Sequence, residues 1–208
     1  NPGFENFIRE IKKSVKISLA HTDADYETAM KAFKAGASHA VHLYNAMPGL
    51  GHRAPGVVGA VSDSPFVYAE LITDGVHVHE AAVRAALRLN GEERTVFVSD
   101  SLRCAGMPDG EYDLGGQRIV KRGRFARLKE GGKIAGSVSN LRECMVYAVK
   151  EMNIALETAV ACSTLNPARA INIDDRYGSI EPGKKANAVL LNIEDLSLNR
   201  VIKDGLVI

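Results

Sequence analysis

Apolar and polar positions along this chain follow two alternating rhythms. Short apolar runs at 15–20, 37–41, 66–73 and 95–98 have strand length. Between the first two, Tyr26, Met30 and Phe33 recur at helical spacing on one face, with Gly36 placed to cap the C-terminus. A second helical segment at about 80–89 stops at Asn90-Gly91. Strands alternating with helices predict βα units and a parallel sheet. Each of the four strands runs into a polar residue: His21, His42, Asp74 or Asp100. In a parallel barrel, successive strand ends converge on the face where active sites are built.

The rhythm changes at 110–136. This stretch is rich in glycine, and Arg118-Ile119-Val120 and Arg124-Phe125-Ala126 alternate in a way that predicts hairpins. Leu141, Met145, Ala148, Val149 and Met152 then predict one apolar helix face across three turns. Shorter helices are expected at 156–161 and 167–171. The tail has turn residues between short apolar runs at 188–191 and 201–205, as in part of a small β-sandwich. The predicted domains are therefore 1–175, a barrel portion with a hairpin insertion at about 110–136, and 176–208, a β-sandwich portion. Four strands make half of an eight-stranded barrel, which needs about 250 residues. The opening Asn1-Pro2-Gly3, with no initiator Met, suggests processing or a piece of something longer.

Composition narrows the function classes. A net charge of +1 and the absence of Trp give no support for nucleic acid or an anionic membrane as partner. No apolar run approaches ~18 residues, the length of a spanning helix. Three widely spaced cysteines (Cys104, Cys144 and Cys162) argue against a disulfide framework and suit the reducing cytoplasm.

The candidate chemistry sits at the strand ends. Imidazoles at the ends of adjacent strands, His21 and His42, can bind one metal ion, which would polarise a carbonyl and lower the pKa of a bound water. Asp100 is placed to take the water's proton and return it to a leaving amine, or alternatively to act as a plain cap. His77, after Asp74-Gly75-Val76, could meet a carbonyl oxygen or a sugar hydroxyl. His79 is expected on the surface, and His39 inside its strand. Arg53, on a Gly/Pro-rich loop, suits a phosphate. Gly136-Ser137 could present amides at a helix N-terminus, or the helix could be capped by Ser139 or Asn140 instead.

These residues fall into motifs. They are His21, His42-Leu43-Tyr44-Asn45-Ala46-Met47-Pro48, Arg53-Ala54-Pro55-Gly56, Asp74-Gly75-Val76-His77, Val98-Ser99-Asp100, Ile134-Ala135-Gly136-Ser137, Asn166-Pro167-Ala168-Arg169 and Gly178-Ser179-Ile180-Glu181-Pro182-Gly183-Lys184. In this order the chain resembles the C-terminal part of the N-acetylglucosamine-6-phosphate deacetylases, a family of the amidohydrolase superfamily. The resemblance implies an α/β fold, a (β/α)8 TIM barrel of the metal-dependent hydrolase type present as its C-terminal half, with a small β-sandwich tail. It implies a divalent metal, zinc or iron, on His21 and His42, and Asp100 as general base and acid. Asn45 and the Ala46 backbone would contact the substrate, with Arg53 on its phosphate across a dimer interface. Asp74, Gly75, Val76 and His77 would line the sugar site, and Ile134, Ala135, Gly136 and Ser137 would close it. The implied partners are a phosphorylated N-acetyl amino sugar and further copies of the chain.

Two departures stand out. Ala54 replaces the Glu usual in the arginine loop, and no His-x-Glu-Gly-Pro motif supplies the family's further metal ligand. The chain alone is therefore expected to hold metal poorly and to be inactive. The competing readings are another superfamily hydrolase of cyclic amides or nucleobases, and a metal-free fragment that only self-associates.

Overall fold

The structure is a computed structural model and describes residues 3–208. Its centre is a parallel sheet of four strands in chain order, β1 (Ser18–Leu19), β2 (His39–Ala40), β3 (Tyr68–Ile72) and β4 (Thr95–Val98). Helices α2 (Tyr26–Ala35), α3 (Gly56–Ser62) and α4 (Glu80–Asn90) join successive strands, and α1 (Phe4–Ile11) precedes them. One sheet face, carrying Ala40, Ala69, Leu71 and Phe97, packs with Phe33, Val57, Val61, Val83, Leu87 and Met145 into a single buried core. The alternate positions His39, Tyr68 and Glu70 lie on the other face, as the two-residue period of a strand requires. Along that face His39 stacks on Tyr68, with ring centroids 5.6 Å apart. Tyr68 and Glu70 are only half-buried there.

The insertion is an antiparallel meander of β5 (Gly110–Leu114), β6 (Gln117–Arg122) and β7 (Phe125–Leu128). It returns to the sheet through a bridge from Ile134 to Arg127 and a parallel bridge from Ser137 to Ser101. Next come α5 (Leu141–Lys150), α6 (Leu156–Ser163) and α7 (Leu165–Ala170). The tail forms a small antiparallel sheet of β8 (Ala188–Leu191), β9 (Leu198–Lys203) and β10 (Leu206–Val207). Its apolar side chains Val189, Leu190, Leu198, Leu206 and Val207 are all exposed.

Several expectations need correction. The runs at 15–20 and 37–41 pair only at Ser18–Leu19 and His39–Ala40. The buried stripe of α2 is Ala29, Ala32 and Phe33, with Tyr26 and Met30 only partly covered. On α5 the buried face is Cys144, Met145 and Ala148, whereas Leu141 is exposed and Met152 packs beyond the helix end. The α5 N-terminus is closed by a capping box of Asn140 and Glu143, so Gly136-Ser137 is not a helix N-terminus. Asp100 caps no helix either. As expected, Gly36 and Gly91 end α2 and α4. All three cysteines are free and buried, and burial pushes the thiols of Cys144 and Cys162 up to about 12. Among the described residues, no helix is long and apolar enough to cross a membrane.

Asn166 is buried on α7, and its amide group donates to the carbonyls of Glu92 (2.7 Å) and Thr95 (2.8 Å), holding α7 to the start of β4. Replacing it with Ala strands these acceptors. Asn166→Ala is expected to destabilise the chain by about 1–3 kcal/mol, read by urea denaturation.

Candidate functional site

The ends of β1 and β2 bring two imidazoles together. His21 and His42 lie edge to face, with their Nε2 atoms 3.1 Å apart. Both residues have positive φ, 44° and 31°, and Tyr44 (77°), Ala46 (52°) and Asp100 (49°) share that left-handed conformation. Such backbone costs of order 1–3 kcal/mol per non-glycine residue and persists only where its surroundings over-determine it. Here the surroundings are hydrogen bonds. The Val41 amide donates to the Leu19 carbonyl (2.9 Å), Leu43 to Glu70 (2.7 Å) and Thr22 to Ala46 (3.0 Å). The last bond ties the two histidine loops directly. Asn45 turns its amide group back on the His42 and Leu43 carbonyls.

The donor pair fits a metal ion in chemistry and in spacing. Two nitrogens bound to one tetrahedral zinc at about 2.0–2.1 Å lie roughly 3.3–3.4 Å apart, close to the 3.1 Å seen. Among the described residues, no third His, Cys, Asp or Glu groups with them. His42 is buried, and its Nδ1 has no protein partner.

The end of β3 forms a second cluster. Asp74 is buried; its Oδ1 accepts from the amides of Val76 (2.9 Å) and His77 (3.0 Å), and its Oδ2 from the His77 ring Nδ1 (2.8 Å). Burial alone would raise this carboxyl's pKa. The His77 ring bond and the two amides outweigh it, so Asp74 titrates below its ordinary value. An ionised carboxylate only accepts, so Nδ1 carries the ring proton. The ring's other nitrogen, Nε2, is buried and has no partner among the described residues. His79 is exposed and caps α4 by accepting from the Ala81 amide.

Asp100 is exposed at the end of β4. Its carbonyl accepts from the Ser137 amide (2.9 Å), and the Leu102 amide donates to the Ser137 carbonyl (2.8 Å). Gly136 packs against Leu102 in the same crossing. The Ser137 amide is therefore spent on the main chain rather than offered to an anion. Ala135 donates to the Ala126 carbonyl, and Ile134 is exposed on the insertion edge. Arg53 stands apart, exposed on its loop, with its guanidinium on the ring of His52 (2.6 Å).

Three residues emerge that the sequence did not single out. Glu70 points its carboxyl toward the His42 backbone amide and Asp100; burial first, then the charge of Asp100, raises its pKa. Its only signal in sequence is a carboxylate within an apolar strand. Arg124 and Tyr147 line a cleft of about 430 Å³ between the insertion and α5, together with Met107, Lys121 and Glu143. Of the expected site residues, only Asp74 borders it.

The four-stranded parallel sheet thus brings paired histidines to two adjacent strand ends and an aspartate to the end of its last strand. The chain belongs to the Amidohydrolase family, whose model matches residues 6–208. It is 40% identical to the N-acetylglucosamine-6-phosphate deacetylase of Bacillus subtilis over 187 residues, 89% of this chain and 47% of that protein. It is 38% identical to the N-acetylgalactosamine-6-phosphate deacetylase of Escherichia coli O157:H7, over 89% of this chain and 49% of that one. The chain thus spans about half the length of these relatives. A solved structure of N-acetyl-D-glucosamine-6-phosphate deacetylase from Mycobacterium smegmatis, a mutant in complex with N-acetyl-D-glucosamine-6-phosphate, superposes with a TM-score of 0.94. That match has 31% identity and covers 100% of this chain and 55% of that one. The Pasteurella multocida enzyme gives 0.92 at 33% identity, over 99% of this chain and 53% of that one.

The depressed Asp74 carboxyl fixes the sign of a pH effect. Because its folded pKa lies below the ordinary 3.8, it adds stability at neutral pH that is lost as the pH falls below that value. Asp74→Asn is expected to be less stable than the parent at pH 7, with the difference shrinking below pH 3.8. Urea midpoints of both chains across the acid range measure this.

Proposed function

We propose that this chain carries the C-terminal half of a (β/α)8 deacetylase barrel, residues 1–175 with the 110–136 insertion, and that 176–208 is part of the accompanying β-sandwich. The reaction is hydrolysis of the acetamide of N-acetyl-D-glucosamine 6-phosphate to glucosamine 6-phosphate and acetate, in the amino-sugar catabolism of a reducing cytoplasm. The observation that carries this reading is the convergence of His21 and His42, their Nε2 atoms 3.1 Å apart at adjacent parallel strand ends. Relatives named for this reaction and for its galactosamine counterpart support it. The relatives' names leave no support for a cyclic amide or nucleobase substrate.

His21 and His42 would hold a divalent ion, zinc or iron, which when bound polarises the acetamide carbonyl and acidifies water. Asp100 takes a proton from the attacking water and returns it to the amine that leaves with the sugar. His77, fixed through Nδ1 by Asp74, offers Nε2 to the substrate. The neutral ring accepts from a hydroxyl, and the protonated ring donates to the acetamide oxygen. Asn45 and the Ala46 backbone contact the substrate beside the histidines, and the backbone of Gly75 and Val76 walls the sugar. Ile134, Ala135, Gly136 and Ser137 form the closing edge. Arg53 is exposed and pairs with no acid among the described residues, which suits a phosphate reached across a dimer interface.

With two metal ligands and half a barrel, the 208-residue chain alone is inactive and self-associates. A parallel sheet needs both faces covered, and Tyr68, Glu70 and the exposed apolar tail seek a partner. Light scattering should give a dimer or larger, with substoichiometric metal and no acetate release. A monomer with stoichiometric metal that releases acetate would sink this reading. Joined to the N-terminal half of the Bacillus subtilis relative, the chain is expected to release acetate. In that form Asp100→Asn should lower kcat on the order of 10²–10⁴-fold with substrate binding retained. Arg53→Ala should lower kcat/KM for the phosphorylated sugar by roughly 10–150-fold, and that for free N-acetylglucosamine far less.

A further inference from the structure

The hairpin insertion reaches the substrate side of the sheet through one side chain. Arg124, at the turn between β6 and β7, donates from its guanidinium to the Asp74 main-chain carbonyl. Its guanidinium also lies over the Tyr147 ring, 4.7 Å from the centroid. That ring in turn occupies the space beside Gly75. A Cβ there would meet the Tyr147 ring at 2.2 Å, and Gly75 also has φ 72°. One residue earlier, the Thr73 hydroxyl is fully buried and donates to the Cys144 carbonyl of α5 at 3.0 Å. Residues 73–77 are thus gripped from both sides, by α5 through Thr73 and Tyr147 and by the insertion through Arg124.

What this grip holds is the Asp74–His77 pair. The side chains of Asp74 and His77 are 1% and 7% exposed, and the His77 Nε2 has no partner among the described residues. A buried imidazole nitrogen aimed at a ligand needs its other nitrogen fixed, because the ring can otherwise rotate or exchange tautomers. The Asp74 carboxylate fixes it, and the Asp74 main chain is where Arg124 attaches. We propose that Arg124 is a positioning residue. With Tyr147 it latches the insertion onto the Asp74–Gly75 turn, and so sets the orientation of His77 toward the substrate. The guanidinium suits this task because it can donate in plane to a carbonyl while its flat face rests on an aromatic ring. The substrate role of His77 rests on the deacetylase reading above; the latch itself does not.

The test reads the His77 ring N–H in the chain as it stands, by heteronuclear NMR, with the resonance assigned through its loss in His77→Gln. In the parent chain the Nδ1–H is expected to exchange slowly with water. Arg124→Ala is expected to speed that exchange by roughly tenfold or more, since a charge-assisted bond no longer restrains local opening. Tyr147→Leu, which removes the ring under the guanidinium, is expected to act in the same direction. Arg127→Ala is the control: that arginine bonds the Gly132 carbonyl within the insertion and lies over Phe125, so it should leave the His77 signal unchanged. An unchanged His77 exchange rate in Arg124→Ala with native circular dichroism overturns the proposal, as does an equal effect of Arg127→Ala. If Arg124→Ala does not fold, an unchanged rate in folded Tyr147→Leu overturns it. The exchange readout needs neither metal nor substrate. Failure of the deacetylase reading would therefore show separately, as absent acetate release from the completed barrel.

Discussion

The parallel pairing of β1, β2 and β3 is the contact on which the rest of the site depends. Its hydrogen bonds run from Ser38 to Ile17, Val41 to Leu19, and Leu43 to Glu70. They carry the chain to the strand ends in register, and there it turns left-handed at His21 and at His42. Without that pairing, two strained non-glycine residues would relax by 1–3 kcal/mol each, and the imidazoles would separate. With it, the Nε2 atoms stand 3.1 Å apart and the two rings meet edge to face. The pairing therefore converts backbone hydrogen bonds into a preset donor pair.

Glu70 links this pair to the last strand. Its carbonyl belongs to the pairing, and its carboxyl feels both the His42 backbone amide and the charge of Asp100. Burial first, and then the charge of Asp100, push the Glu70 carboxyl above its ordinary value. The Asp74–His77 pair is built on the opposite principle: its carboxylate is satisfied by three donors and stays charged. Two carboxyl groups four positions apart, Glu70 within β3 and Asp74 just beyond it, thus have their pKa values pushed in opposite directions by their surroundings.

Much of this architecture could be read along the chain, because it is local. The helix ends at Gly36 and Gly91, the strand Thr95–Val98 and the hairpin character of 110–128 all follow from residues within a few positions of each other. Other elements had no local signature. Helix α3 reads Gly-Val-Val-Gly-Ala-Val-Ser and has no polar face, because nearly all of it is buried. Amphipathic spacing is absent from such a helix by construction. On α5, Leu141 and Cys144 exchanged roles because the capping box turns the first helical residue toward solvent.

By itself the sequence determined which residue types stand at the strand ends: His21, His42, Asp74 and Asp100, each following an apolar run. It also determined the insertion and the motifs that place the chain among the amidohydrolases. Only the tertiary structure decided what those residues face. It set the approach of the two imidazoles, committed the Ser137 amide to the Asp100 carbonyl, and brought Glu70 to both His42 and Asp100. It also joined Arg124 to Asp74 across 50 positions and Thr73 to Cys144 across 71. The physical reason is range. Periodicity and capping record interactions a turn or a strand apart. A site is made by side chains that meet only after strands have paired and helices have packed against them.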